Sequence, residues 1–181
     1  MILCGGKSRR MGENKSLLPF GGKDSLAEYQ LEKLKPYFLE TYISCKNSSI
    51  YNFEAEFIED ESSEFNPFNG ILSSFNYTGM PYLFFLPVDT PLISIESIEK
   101  ILQSNSCSKD GAIAKTKSDT HNLVGIYSNS VVPKIESMIK EGDFRVRNLI
   151  KSMDFIEVEF ESEDEFVNLN YKDEYNRVLR K

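Results

Sequence analysis

A continuous apolar run from Tyr82 to Val88, bounded by Pro81 and Pro91, constrains the fold of this chain more than any other feature. Strands that are covered on both faces, as in the parallel sheets of α/β proteins, show such runs without polar alternation. The run is much shorter than the ~18 apolar residues that indicate a membrane-spanning helix. We therefore predict a central strand of an α/β sheet and no transmembrane segment.

Strand-like and helix-like segments alternate along the rest of the chain, which favours a layered α/β sheet. The length of 181 residues corresponds to about one domain. We predict an α/β fold, a single-domain Rossmann-like three-layer sandwich with a mostly parallel central sheet. Further strands are expected at Ile2–Cys4, Tyr42–Cys45, Glu56–Ile58, Ala112–Thr116, Asn122–Tyr127 and Phe155–Phe160, and helices at about 25–38, 69–77, 95–104, 131–140 and 145–153 and from about Asn170.

The composition argues against several classes of partner and site. The net charge of −7 argues against a general binder of nucleic acids or anionic membranes, which would carry a basic surface. The three cysteines, Cys4, Cys45 and Cys107, form no C-x-x-C pair, and His121 is the sole histidine. We therefore expect no disulfide framework, no cysteine zinc site and no site that needs two imidazoles. A reducing, cytoplasmic location fits these cysteines.

Glycines and cations are concentrated in the loop that follows the first strand, LCGGKSRRMGENK at residues 3–15. Adjacent glycines allow successive backbone N–H groups to approach an anion closely. We expect the amides of Gly5 and Gly6 to hold a triphosphate, with added positive charge from Arg10 and Lys15. A solvated basic turn is the alternative for a bare glycine pair.

Asp89 follows the predicted central strand and precedes Thr90 and Pro91, which end it. In open α/β sheets, ligands bind outside the carboxyl ends of the strands. A carboxylate there can hold Mg²⁺ against phosphate oxygens, whereas an isolated aspartate more often caps a turn. In combination with the glycine-rich loop, Asp89 is interpreted as a metal ligand.

Asp60 follows the predicted strand Glu56–Ile58 and has acidic neighbours in Glu59 and Glu61. A carboxylate accepts two hydrogen bonds side by side, and guanine offers two such donors in its N1–H and 2-amino groups. Ribose hydroxyls are an equal alternative as the target, and a solvated loop acid is the structural alternative. The sequence leaves these interpretations open.

The loop and four further motifs resemble the molybdenum cofactor guanylyltransferases of the MobA family. The loop is similar to the family signature LAGGxSxRMGxxK. Motifs similar to the family's acidic motif, its GPLxGI turn, its PxDTP motif and its FxNxN motif follow in family order, as IED at 58–60, NPFNGI at 66–71, LPVDTP at 86–91 and FVNLN at 166–170. The resemblance implies a Mg²⁺-dependent enzyme that attaches GMP from GTP to molybdopterin and releases pyrophosphate.

The resemblance also implies roles for individual residues. It implies catalytic roles for Arg10, Lys15 and Asp89, with Asp89 as the Mg²⁺ ligand. It implies nucleotide binding by Leu3, Cys4, Gly5, Gly6, Lys15, Asn47, Asp60 and Asp89, where Asn47 is the nearest candidate for an asparagine that the family carries after its second strand. Within the single nucleotidyltransferase domain, 1–181, the nucleotide half is expected at about residues 1–92 and the acceptor half at about 93–181.

Two asparagines and an arginine are expected on the acceptor side. Asn168 and Asn170 would point to one face of an extended segment, and their amides suit the donors and acceptors of a pterin. A helix cap is the alternative for Asn170. Arg145 and Arg147 lie in a segment similar to family segments that border the acceptor site, so Arg145 is a candidate for the acceptor phosphate, with a solvated helix face as the alternative.

Two alternative functions remain open at the level of the sequence. The first keeps the chemistry but uses CTP, or a sugar or polyol phosphate acceptor; Gly5, where the cytidylyl relatives carry alanine, favours GTP. The second is a nucleotide-binding regulatory protein without turnover. The expected partners are GTP and molybdopterin, with no nucleic acid and no membrane, and with room for transient contact with other proteins of cofactor biosynthesis.

Overall fold

The computed structural model of this chain describes residues 1–5, 14–60, 66–104 and 109–179. Its strands are β1 (Ile2–Leu3), β2 (Tyr42–Cys45), β3 (Glu56–Glu59), β4 (Tyr82–Pro87), β5 (Gly111–Lys115), β6 (Thr120–Ser128) and β7 (Phe155–Glu159). Its α-helices are α1 (Leu26–Leu34), α2 (Pro67–Thr78), α3 (Ile95–Ser104), α4 (Val132–Lys140), α5 (Val146–Ser152) and α6 (Lys172–Leu179), with short 3₁₀ turns at Lys15–Leu17, Ser48–Ile50, Asn129–Val131 and Asp164–Phe166. Among these described residues, none of the helices has the length and apolar character needed to cross a membrane.

The strands form one sheet in the order β3-β2-β1-β4-β6-β5-β7. Every neighbouring pair is parallel except the two that β6 makes with β4 and β5. β4 pairs with β1 on one side and with β6 on the other, which confirms the predicted central strand. The carboxyl ends of β1 to β4 therefore lie along one edge of the sheet, where α/β sheets bind their ligands.

Helices cover both faces of this sheet. Phe84 and Leu86 of β4 belong to a core with α1 and α3, whereas Phe85 between them belongs to a second core with α2, α4 and α5. These side chains alternate because successive residues of a strand point to opposite faces. The apolar run thus contributes to two cores, and the predicted three-layer sandwich with a mostly parallel sheet is confirmed.

Local capping explains where the first two helices begin. Ser25 accepts the backbone N–H of Glu28 at 3.1 Å, as the sequence predicts, although α1 ends at Leu34 and not at residue 38. α2 begins at Pro67, two residues earlier than predicted. The side chain of Asn66 caps it there, and proline suits the first helical position because it has no N–H to satisfy.

Candidate active site

Two adjoining cavities lie at the carboxyl edge of the sheet. The first, here called the large cavity, has a volume of about 650 Å³. The second, the small cavity, has a volume of about 260 Å³ and contains Asp60. Leu3, Gly5 and Leu123 line both cavities. The large cavity brings together eight of the residues predicted from the sequence, namely Leu3, Cys4, Gly5, Lys15, Asp89, Arg145, Asn168 and Asn170.

Lys15 connects the two ends of the chain inside the large cavity. It begins the 3₁₀ turn Lys15–Leu17, and its ammonium donates to Asp89 Oδ2 at 3.1 Å and to Asn170 Oδ1 at 2.5 Å. The side chains of Lys15 and Asp89 are only 15% and 23% exposed, so their charges are partly shielded from bulk water. A cation and a carboxylate in one cavity can serve a triphosphate and a metal ion, respectively.

The side chain of Asn170 bonds to Lys15. The side chain of Asn170 faces the cavity, and α6 begins only at Lys172. Glu174 accepts the backbone N–H groups of Asn170 and Tyr171, at 2.8 and 2.9 Å. The carboxylate of Glu174, in the first turn of α6, thus bonds to the backbone that leads into this helix.

Several hydrogen bonds stabilise the turn that contains Asp89. The carbonyl of Asp89 accepts the N–H of Leu169 at 2.8 Å, and the hydroxyl of Thr90 donates to Asn168 Oδ1 at 2.8 Å. From the opposite side, Gln30 of α1 donates its side-chain amide to the carbonyl of Thr90 at 3.0 Å. Gln30 is fully buried and is not among the residues predicted from the sequence, where a polar residue on the apolar face of a helix is a usable signal.

Asp89 offers a single carboxylate to a divalent metal ion that substrate phosphates would also hold. Among residues 1–5, 14–60, 66–104 and 109–179, no three acidic, histidine or cysteine side chains are grouped so as to hold a metal ion. Mg²⁺ in nucleotide enzymes is held by one or two carboxylates and by the substrate phosphates, with water filling the remaining positions. Asp89 supplies a carboxylate of that kind.

The small cavity presents a carboxylate and a cation side by side. Asp60, which follows β3, is only 4% exposed at its side chain. Its Oδ1 accepts from the hydroxyl of Ser44 at 3.3 Å, and its Oδ2 lies 3.4 Å from the ammonium of Lys46. Burial raises the pKa of Asp60, and the charge of Lys46 opposes that rise. The cavity thus has an acceptor and a donor on the same wall.

Two glycines determine how much room the small cavity has. A Cβ on Gly70 of α2 would lie 2.9 Å from Ser44 Oγ and 3.7 Å from Asp60 Oδ1. Glycine therefore lets α2 begin close to the carboxylate without disturbing its hydrogen bond. A Cβ on Gly5 would lie 3.9 Å from Asp60 Oδ2, an ordinary contact, and would narrow the cavity without a clash.

Arg145 lies at the outer side of the large cavity, where its side chain is mostly exposed to solvent. Its side chain is 69% exposed, and its Nε donates to Asp143 Oδ1 at 2.8 Å. This bond, together with one from Asn148, lowers the pKa of Asp143 to about 2. Arg147 lines the same cavity and is also exposed. Two cations are thus available to an anionic group that enters from this side.

His121 and Cys4 line the large cavity, and burial favours the neutral form of both side chains. The ring of His121 stacks on Phe166 at 4.8 Å and lies 3.3 Å from the hydroxyl of Thr116. Burial lowers the pKa of His121, which favours the neutral imidazole. Desolvation raises the pKa of Cys4 to about 12, so its thiol stays protonated near neutral pH.

Of the predicted site residues that the structure describes, Asn47 lines neither cavity. Gly6 and Arg10 lie outside the described residues. Asn47 is exposed and caps the turn Ser48–Ile50, where its side-chain oxygen accepts from the N–H of Ser49 at 2.9 Å. Its neighbour Lys46 lines the small cavity. The period of two along β2 is the signal that could have identified it, since Ser44 and Lys46 are two residues apart.

The fold and the site together define an α/β nucleotide-binding protein, with a glycine, a lysine and an aspartate at the carboxyl edge of a mostly parallel sheet. The family model of the MobA-like NTP transferase domain matches residues 1–158, and the chain belongs to this family. The resemblance noted in the sequence is therefore confirmed. Membership of a nucleotidyltransferase family fits the use of a divalent metal ion.

Curated relatives and solved structures agree with this family. The molybdenum cofactor guanylyltransferase of Helicobacter pylori strain G27 is 35% identical over 99% of this chain and 90% of that protein. A probable molybdenum cofactor guanylyltransferase of Aquifex aeolicus is 34% identical over 98% of this chain and 88% of that protein. The crystal structure of molybdopterin-guanine dinucleotide biosynthesis protein A from Archaeoglobus fulgidus superposes with a TM-score of 0.81 at 25% identity, over 97% of this chain and 94% of that one.

Proposed function

We propose that this protein transfers GMP from GTP to molybdopterin, releases pyrophosphate and forms the guanine dinucleotide cofactor. The observation that carries the proposal is the placement of Lys15 and Asp89 in one cavity, next to a separate cavity that suits a nucleobase. The named activities of the Helicobacter and Aquifex relatives, which align over nearly the whole chain, support it.

The nucleotide is proposed to span both cavities. Its triphosphate lies in the large cavity against the amide of Gly5 and the ammonium of Lys15, and the sequence resemblance adds Gly6 and Arg10 to this group. Its base passes the residues shared by both cavities and enters the small one. We assign Asp60 to the base and not to the ribose, because its carboxylate is almost fully enclosed there.

Asp89 is the residue proposed to hold Mg²⁺, which when bound neutralises part of the charge on the phosphates of GTP. Lys15 keeps the carboxylate in place from one side, and the hydrogen bond from Leu169 to the carbonyl of Asp89 fixes the backbone. A carboxylate held in this way loses little freedom when it binds a cation, so its geometry is set before the substrate arrives.

The chemistry requires positioning and charge stabilisation rather than a general base. A phosphate oxygen of molybdopterin attacks the α-phosphorus of GTP, the new P–O bond forms, and the bond to the bridging oxygen breaks with its electron pair leaving on pyrophosphate. Lys15 stabilises the charge on the triphosphate. Arg145 binds the acceptor phosphate, and Asn168 and Asn170 line the acceptor side, so that about residues 1–92 serve the nucleotide and about 93–181 the acceptor.

A pyrophosphate-release assay with GTP, Mg²⁺ and molybdopterin tests the proposal. We expect release that requires all three components, stops when the metal is chelated and returns when Mg²⁺ is added. The product should have the mass of the guanine dinucleotide.

The free thiols Cys4 and Cys45 are consistent with a reaction in the cytoplasm.

Parallel reactions distinguish the alternatives. Turnover with CTP in place of GTP, or with a sugar or polyol phosphate in place of molybdopterin, would replace the proposed substrates with those of a related transferase. Nucleotide binding without pyrophosphate release from any pair would indicate a regulatory protein and would refute the enzymatic proposal.

A further inference from the structure

We propose that Lys46 recognises the 6-position of the nucleobase by donating a hydrogen bond to a carbonyl oxygen there, while Asp60 beside it accepts from N1–H and the 2-amino group. This inference rests on the proposed function, because it assumes that the base of GTP enters the small cavity. It makes Lys46 a specificity-determining residue.

The geometry of the small cavity carries the inference. Lys46 and Asp60 both line it, with Lys46 Nζ 3.4 Å from Asp60 Oδ2. The ammonium offers only donors and the ionised carboxylate offers only acceptors. Guanine has the complementary order along one edge, with an acceptor at O6 next to the donors at N1 and N2. One wall of the cavity thus matches three adjacent groups of a single base.

Two observations fix the orientation of this pair. The hydroxyl of Ser44 donates to Asp60 Oδ1 at 3.3 Å, whereas Lys46 lies against Oδ2, so each carboxylate oxygen has a partner. Ser44 and Lys46 are two residues apart at the end of β2, and Gly70 brings α2 close to the same wall. The side chain of Lys46 is 23% exposed and that of Asp60 is 4% exposed, so the cation lies nearer the opening.

Other bases match this wall poorly. Adenine would place the donors of its 6-amino group against the ammonium of Lys46 and the lone pair of N1 against the carboxylate of Asp60. Both contacts are repulsive, and both protein groups would be partly enclosed without a partner on the base. Sites built from enclosed polar groups reject such analogues strongly, because the groups remain unpaired. The volume of about 260 Å³ suits a single heterocycle.

A binding experiment with three nucleotides distinguishes the contact that Lys46 makes from the contact that Asp60 makes. GTP carries both the 6-carbonyl and the 2-amino group, 6-thio-GTP replaces the carbonyl with a weak sulfur acceptor, and ITP lacks the 2-amino group. Dissociation constants are measured by calorimetry on the complete chain with Mg²⁺ for the wild type, Lys46→Met and Ser44→Ala. Lys46→Leu provides a second variant in case the methionine protein does not fold.

We expect the wild type to prefer GTP over 6-thio-GTP by about tenfold or more, which is the size of one hydrogen bond from a charged donor. Lys46→Met should bring that ratio close to one and leave the GTP to ITP ratio within about threefold, since GTP and ITP both carry the carbonyl. Ser44→Ala is the matched control, because it removes the other donor to Asp60 without touching the 6-position, and it should keep the GTP to 6-thio-GTP ratio.

An unchanged ratio of GTP to 6-thio-GTP in a folded Lys46 variant would overturn the inference. An equal change in Ser44→Ala would also overturn it, because the effect would then act through Asp60. In either case, GTP-dependent pyrophosphate release by the wild type would leave the proposed function intact. A wild type that neither binds nor turns over GTP would overturn both.

Discussion

Asp60 in the small cavity and Arg145 at the outer side of the large cavity are both charged groups that we expect to touch a substrate, but the fold holds them differently. Asp60 is 4% exposed and is fixed by Ser44 and Lys46 from the neighbouring strand. Arg145 is 69% exposed and bonds to Asp143, two residues away. We therefore expect a nucleotide site that is built into the sheet, and an acceptor contact that takes its final form when the acceptor binds.

Asp89 lies between these two regions and is held by both. Lys15, from the N-terminal part of the chain, bonds to its carboxylate, and the segment with Asn168 and Leu169 is bonded to the same turn. We therefore expect the effects of substitutions to be largest near Asp89 and to become smaller towards the outer side of the large cavity.

The largest effect is expected at Asp89. Asp89→Asn should reduce turnover by at least about a thousandfold, because a neutral amide binds Mg²⁺ poorly and the stabilisation that a metal ion gives is worth several kcal/mol. The measurement is pyrophosphate release, with thermal unfolding as a check that the fold survives. Asp119→Asn, which changes an exposed carboxylate that lines the same cavity, is the control and should keep most of the activity. Mg²⁺-dependent turnover by the Asp89 variant would remove this residue from the metal site.

Substitution of Lys15 should act on the phosphates. Lys15→Ala is expected to weaken GTP binding by about 1.5–3 kcal/mol, roughly ten- to a hundredfold, which is the value of a charge-assisted hydrogen bond. Guanosine, which has no phosphates, serves as the internal reference and should bind almost as well as it does to the wild type. Equal losses for the two ligands would assign Lys15 a structural role through Asp89 and Asn170.

Asp60→Ala tests the small cavity as a base site. The wild type should prefer GTP over ITP by about tenfold or somewhat more, because ITP lacks one hydrogen bond to a charged acceptor. The variant should lose most of this preference, whatever happens to its overall activity. If the ratio of the two nucleotides were preserved in a folded Asp60→Ala protein, the carboxylate would be assigned to the ribose instead.

The smallest effect is expected at the outer side of the large cavity. Arg145→Ala should raise the KM for the acceptor by about two- to fivefold and leave the KM for GTP unchanged, because exposed charge contacts are worth up to about 1 kcal/mol. Arg147→Ala, which removes the other exposed arginine that lines the large cavity, is the matched control variant. A larger effect of Arg145→Ala on GTP than on the acceptor would contradict the division between the two regions.

The parts of this molecule that sequence could predict depend on local patterns. The run Tyr82–Val88 predicts the central strand, and the position of Asp89 after it predicts a site at the carboxyl edge. Asn47 is the nearest candidate that the resemblance offers after the second strand, whereas Lys46 is the residue that lines the small cavity.

Contacts between distant segments could not be predicted in this way. The hydroxyl of Thr90 donates to Asn168, 78 positions away, and no local pattern encodes that pairing. The sequence alone allows Asn170 to cap a helix or to face a cavity. The hydrogen bond from Lys15 to its side chain comes from the tertiary fold and is encoded by no local pattern.

The bond between Lys15 and Asn170 joins positions 155 residues apart, and this has a consequence for biosynthesis. During translation, the strands β1 to β4 can pair and begin to pack before the segment with Asn170 has left the ribosome. Contacts of such large sequence separation form late, because the entropy of closing the intervening chain must be overcome first. We therefore expect a nascent chain to acquire a folded nucleotide half while Lys15 and Asp89 still lack one wall of their cavity.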